Sequence, residues 1–140
     1  ITGAIVVANG AFPELRSLTL ALLYSFGAHG IMTLNDFKSI KGDKKLGIRS
    51  IPVQLGINIA AKSACITMLL PQIIVLMLIF SWGHYFYSGF FLLLLICQIG
   101  LMVFFLKDPL KRALFYSAAG VPLFVFGMMV SAFALRALNL

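Results

Sequence analysis

Between Tyr87 and Leu106 the chain carries no charged side chain, and the central stretch "FFLLLLICQIGLMVFF" shows no alternation of polar with apolar residues. A membrane β-barrel strand needs that alternation, so the run reads as a helix. At about 1.5 Å of rise per residue, about 20 apolar residues cross a hydrocarbon core about 30 Å thick. Four runs meet that length, roughly Ser17 to Leu34, Ile59 to Phe80, Tyr87 to Leu106 and Ala113 to Leu135. A chain of 140 residues that is 61% hydrophobic and 11% charged, with a mean hydropathy of +1.05, cannot bury its apolar surface in a core of its own. The expected fold class is therefore all-α, a polytopic transmembrane helix bundle. A shorter apolar run, Ile1 to Asn9, reads as the end of a further helix, so residues 1–140 are expected to form the C-terminal part of a longer membrane domain.

In a soluble protein the net charge of +7 would suggest nucleic acid as a partner, but here the charge follows the membrane. Lys38, Lys41, Lys44, Lys45 and Arg49 lie in the first connection, Lys107, Lys111 and Arg112 in the third, and Lys62 can snorkel to the same side. Only Arg16 and Arg136 fall opposite. This asymmetry puts the first connection on the cytoplasmic face and makes "SWGHYF" a short turn on the far face, with membrane lipid rather than nucleic acid as the surroundings. His84, beside Trp82, Tyr85 and Tyr87, fits an interfacial aromatic belt. Cys65 and Cys97 fall inside apolar runs and show neither metal spacing nor a disulfide pattern. Pro71 and Pro122 should bend their helices, and the pairs Gly27 with Gly30 and Gly120 with Gly127 suit close helix packing.

The segment "NDFKSIKGDKKLGIRSIP", residues 35–52, holds two of the four acidic side chains of the chain among five cations. Asp36 and Asp43 are seven residues apart, about 20° short of two full turns on a continuous helix, so both would point the same way. That separation is about 10 Å of rise, whereas two oxygens on one Mg²⁺ are at most about 4 Å apart. Either the helix breaks near Gly42 or each carboxylate serves its own ion on a larger ligand such as a diphosphate. Mg²⁺ binds through one or two carboxylates plus phosphate oxygens and water. Lys38, Lys44 and Arg49 are then candidates for the phosphate oxygens that the metal leaves uncovered. Reading back from Asp36 at helical spacing meets Thr33, His29 and Ser25, a polar row descending into hydrocarbon, where such groups usually face a bundle interior or a wet cavity. Downstream, Gly47 supplies a turn, Ser50 an N-cap and Pro52 the first turn of a short helix leading into the second span.

Two blocks, "GAHGIMTLNDFKSIKGDKKLGIRSIPVQLG" and "FGMMVSAFALRAL", resemble the bacteriochlorophyll and chlorophyll synthase branch of the UbiA-type intramembrane prenyltransferases, and the likeness runs nearly the whole length. The resemblance implies a bundle of nine transmembrane helices, of which this chain covers the end of the fifth through the ninth. It also implies two aspartate-rich motifs that bind Mg²⁺ and a prenyl diphosphate beside a central cavity. The second motif is carried here by Asn35, Asp36 and Asp43. The chemistry implied is transfer of a geranylgeranyl or phytyl group to bacteriochlorophyllide. His29 and Ser25 would contact pigment or cavity, and Phe26, Phe124 and Phe126 are candidates for lining a dry chamber. Contacts with other pigment-biosynthesis or photosynthetic assembly proteins would be in keeping.

One position departs from the pattern. Where an acidic residue is expected before "GD", the sequence has Lys41, which removes a potential ligand and repels a divalent ion unless it pairs with a diphosphate oxygen. The same residues leave open a non-catalytic pigment-binding or assembly subunit that keeps the bundle, and an enzyme with a quinone or haem precursor as acceptor.

Overall fold

The computed structural model describes residues 14–138, and the run Ile1 to Asn9 lies outside them. Five helices follow one another: α1 (Leu15–Leu46), α2 (Ile51–Leu55), α3 (Ile57–Ser81), α4 (Tyr85–Lys107) and α5 (Pro109–Leu138). All but α2 are long and apolar enough to cross a membrane. Three of the four match the apolar runs to within a few residues. The exception is α1, which continues past Leu34 to Leu46, so the acidic segment is the end of a helix and not a loop.

Glycine at positive φ marks three of the four connections between helices. Gly47 (φ 69°) ends α1, and the Asp43 carbonyl accepts hydrogen bonds from the backbone N–H groups of both Gly47 and Ile48, a Schellman-type ending. Ser50 precedes α2 and Pro52 sits in its first turn, as expected, but the Ser50 hydroxyl makes no capping bond. Gly56 (φ 84°) turns the chain from α2 into α3, and Gly83 (φ 79°) forms the turn between α3 and α4. Asp108 joins α4 to α5. Its carbonyl accepts from Arg112, its carboxylate pairs with Lys111 at 3.5 Å, and Pro109 opens α5 where no backbone donor is needed.

Helices α3 and α5 form the centre, each packed against α1 and α4, while α1 also reaches α4 where the Phe37 and Phe105 rings meet edge to face at 5.9 Å. The closest approach is between α1 and α3. A Cβ on Gly30 would lie 2.5 Å from Met68 Cγ and 2.7 Å from the Ala64 carbonyl, and one on Gly27 would meet the Phe124 ring at 2.5 Å. The expectation that these glycines let helices pack closely is met. Gly127 approaches Phe91 in the same way, whereas Gly120 lies under the Tyr116 ring of its own helix. Both prolines sit inside uninterrupted helices. Pro71 deprives the Thr67 carbonyl of its donor, and that carbonyl faces α1 at Gly27.

Polar groups lock the interior. The Gln98 amide of α4 donates to the Tyr116 hydroxyl of α5 at 2.7 Å, with both residues buried. The Ser131 hydroxyl donates to the Met128 carbonyl at 2.8 Å and lies 3.3 Å from the Tyr24 hydroxyl of α1. Cys65 is buried and Cys97 exposed, and both are free thiols.

Candidate functional site

The unbroken course of α1 excludes the helix break near Gly42 that the spacing of the acids left open. Gly42 is helical and exposed, so Asp36 and Asp43 stand about 20° apart around one axis and about 10 Å apart along it. One ion cannot take both carboxylates directly. The two are still near enough to repel each other.

Asp43 is an unusual structural choice. It lies in the last turn of α1, where the negative end of the helix dipole disfavours an acid by about 0.3–1 kcal/mol, and it is 9% exposed. Among the described residues the ion pairs are Glu14 with Arg16 and Asp108 with Lys111, and none of the surrounding lysines pairs with Asp36 or Asp43. A buried acid at the wrong end of a helix, without a cation, needs a counter-charge from elsewhere. Among the described residues its side-chain partner is Ser39, whose hydroxyl lies 3.0 Å from Asp43 Oδ2 and 3.2 Å from the Asp36 carbonyl. Ser39 is not among the residues that the sequence alone pointed to. Its position, three residues after Asp36 and four before Asp43, is the signal that could have found it once the helix is known to be continuous.

The cations do not gather round the acids. On this helix Lys41 is about 160° round from Asp43, and Lys38 is about 160° round from Asp36. Lys44 lies about 80° from Asp36, and Arg49 is on the connection after Gly47, its carbonyl accepting from the Gln54 side chain. All four are exposed, as is Asn35. The charge reversal at Lys41 therefore falls on the face away from the two carboxylates.

The polar row beneath the acids divides. Thr33 is buried and donates to the His29 carbonyl at 3.0 Å. Ser25 and His29 are exposed, on a stripe shared with Leu22 (64% exposed), Phe26 (50%) and Met32 (62%). This stripe does not face the interior of the described helices. It leads along α1 to Asp36 and then disappears under cover at Ile40 and Asp43.

The three phenylalanines also separate. Phe124 is core, edge-on to Tyr24 at 5.3 Å and set against Gly27, so it packs α5 on α1 and does not line a chamber among the described residues. Phe126 lines an open apolar groove of about 320 Å³ with Val121, Pro122, Val125 and Met129. A second groove, of about 380 Å³, runs along α3 between Ile66 and Met77. His84 lies in the turn between α3 and α4 edge-on to Tyr87 at 5.9 Å, and the Arg16 guanidinium sits 5.9 Å from the Trp82 ring centre.

Among the described residues no three His, Cys, Asp or Glu side chains cluster to cage a metal. From the described residues an ion at this site would take a single carboxylate, the rest of its shell being left to other oxygen ligands such as water and phosphate. That donor set fits Mg²⁺, which sheds water reluctantly and prefers hard oxygen ligands.

The UbiA prenyltransferase family profile matches residues 1–130. The bacteriochlorophyll synthase 33 kDa chain of Cereibacter sphaeroides is 49% identical over 138 residues, covering 99% of this chain and 45% of that protein. The bacteriochlorophyll synthase 34 kDa chain of Chloroflexus aurantiacus is 47% identical over 131 residues, covering 92% of this chain and 42% of that protein. The chloroplastic chlorophyll synthase of Avena sativa is 41% identical over 119 residues, covering 84% of this chain and 31% of that protein. The chain thus spans less than half the length of these relatives. No solved structure matches it. With four helices able to cross a membrane and a family match over most of its length, the chain is an integral membrane polypeptide that belongs to the UbiA prenyltransferase family.

Proposed function

We propose that residues 1–140 form the C-terminal half of a Mg²⁺-dependent prenyltransferase that attaches a geranylgeranyl or phytyl group to the propionate carboxylate of bacteriochlorophyllide. The observation that carries the reading is the pair of carboxylates, Asp36 and Asp43, on one side of an unbroken helix, unpaired with the lysines around them, at the end of an exposed face that descends through the membrane. Identities of 41–49% to proteins named bacteriochlorophyll or chlorophyll synthase support the choice of acceptor. The asymmetry of Lys and Arg supports a cytoplasmic position for Asp36 and Asp43.

In this reading the stripe of Leu22, Ser25, Phe26, His29 and Met32 is the wall that this half contributes to a cavity shared with the rest of the polypeptide. Asp36 and Asp43 would each hold one Mg²⁺, since about 10 Å along the helix is too far for one ion to take both carboxylates. Mg²⁺ bound at these carboxylates would supply positive charge to offset that building on the departing diphosphate. Lys44 and Arg49 are the cations best placed to add to that, from the last turn of α1 and the connection beyond it. The allylic carbon–oxygen bond breaks with its electron pair leaving on the diphosphate, and a propionate oxygen of the pigment forms the new ester bond. The propionate is already ionised at neutral pH, so no protein base or nucleophile is needed. The apolar members of the stripe, Leu22, Phe26 and Met32, keep water from capturing the carbon first.

Asp36→Asn and Asp43→Asn in the full-length protein test the reading. Each should lower esterification by two or more orders of magnitude with unchanged membrane insertion. Full activity in both variants defeats it.

A further inference from the structure

We infer that Ser39 is a positioning residue for Asp43, holding carboxylate oxygen Oδ2 so that the other oxygen meets a divalent ion in a fixed orientation. The inference rests on the reading of Asp43 as a metal ligand and adds a residue to it. Ser39 sits on α1 between the two acids, 3.0 Å from Asp43 Oδ2 and 3.2 Å from the Asp36 carbonyl. A hydroxyl has one proton, so it donates to one of them at a time. Serine inside a helix ordinarily bonds back to a carbonyl three or four residues earlier. Here that acceptor competes with a carboxylate, which is closer and, being ionised, forms a bond roughly twice as strong. The hydroxyl therefore belongs to Asp43.

Asp43 has no other side-chain hydrogen bond or ion pair among the described residues, although it is buried. Its rotamer about the carboxylate thus depends on Ser39. Loss of a hydrogen bond that orients a metal-ligating group typically costs 10–100-fold in metal affinity. A purely structural serine would behave differently. Ser39 is exposed on a helix, where alanine is the better helix former, so deleting its hydroxyl should leave folding unharmed or slightly improved.

The test uses the full-length protein in detergent with a saturating unreactive donor analogue, geranylgeranyl S-thiolodiphosphate, and follows Mn²⁺ binding by the EPR signal of the free ion. Ser39→Ala should weaken Mn²⁺ binding by about 10-fold or more without lowering the unfolding temperature. Ser39→Thr, which keeps the hydroxyl on an exposed position, should restore it to within about two-fold. If Ser39→Ala binds Mn²⁺ like wild type while Asp43→Asn does not, the positioning role is wrong and the metal reading stands. If Asp43→Asn itself binds Mn²⁺ like wild type, the metal reading fails and the role of Ser39 falls with it.

Discussion

Gly30→Ala tests how firmly the packing of the bundle places the two acids. A Cβ at this position would sit 2.7 Å from the Ala64 carbonyl and 2.7 Å from Thr67 Oγ1, against the 3.4 Å at which ordinary contact begins. The carbonyl belongs to the backbone of α3 and cannot rotate away, so α1 must retreat by about 0.7 Å, the difference between those distances. Overpacking of this kind costs about 1–3 kcal/mol. The displacement travels along α1 to Asp36, six residues on within the same helix. Misplacement of a reacting group by about 1 Å costs about 10²-fold in rate, so a loss of about 10-fold is expected beyond any loss of folded protein. Thermal unfolding in detergent and the esterification rate per folded molecule measure the two effects separately. Gly100→Ala is the control, since a Cβ there meets nothing within 4 Å and the residue is exposed. Equal stability and equal rate for the Gly30 and Gly100 variants would refute the reasoning.

Two further variants probe other parts of the account. Lys41→Glu places an acid about 160° round the helix from Asp43, so Mg²⁺ titrations of activity should agree with wild type to within about two-fold, and a larger shift would show that position 41 reaches the site. Tyr116→Phe leaves the buried Gln98 amide without its partner and should cost about 1–3 kcal/mol in detergent unfolding, while adding Gln98→Leu should recover most of that loss; additive losses in the double variant would mean that the 2.7 Å bond contributes nothing.

Much of the fold was legible in the sequence because lipid imposes a length. Runs such as Tyr87 to Leu106 have no other use, and Gly47 and Pro52 mark the turn that the structure has there. The end of α1 was not legible. Residues 35–46 are charged and contain Gly42, which in a membrane protein reads as a loop, yet lysine is a good helix former and nothing before Gly47 forces the helix to stop. That one boundary hid the rest of the site: the burial of Asp43, the bond from Ser39, and the turning of Lys38 and Lys41 to the other face all follow from continuous helix. The polar row was visible by spacing, but spacing fixes only which residues share a face. Whether that face meets neighbouring helices is decided by packing, and here Thr33 is covered while Ser25 and His29 are not.

The central claim is that Asp36 and Asp43 carry separate metal ions that grip one diphosphate. Anomalous diffraction from crystals of the full-length protein with Mn²⁺ and geranylgeranyl S-thiolodiphosphate tests it most directly. The account predicts two anomalous peaks, each about 2.1–2.2 Å from an oxygen of one of these carboxylates and bridged by diphosphate oxygens. Peaks bound elsewhere, with both carboxylates free of metal while the donor is bound, would contradict it.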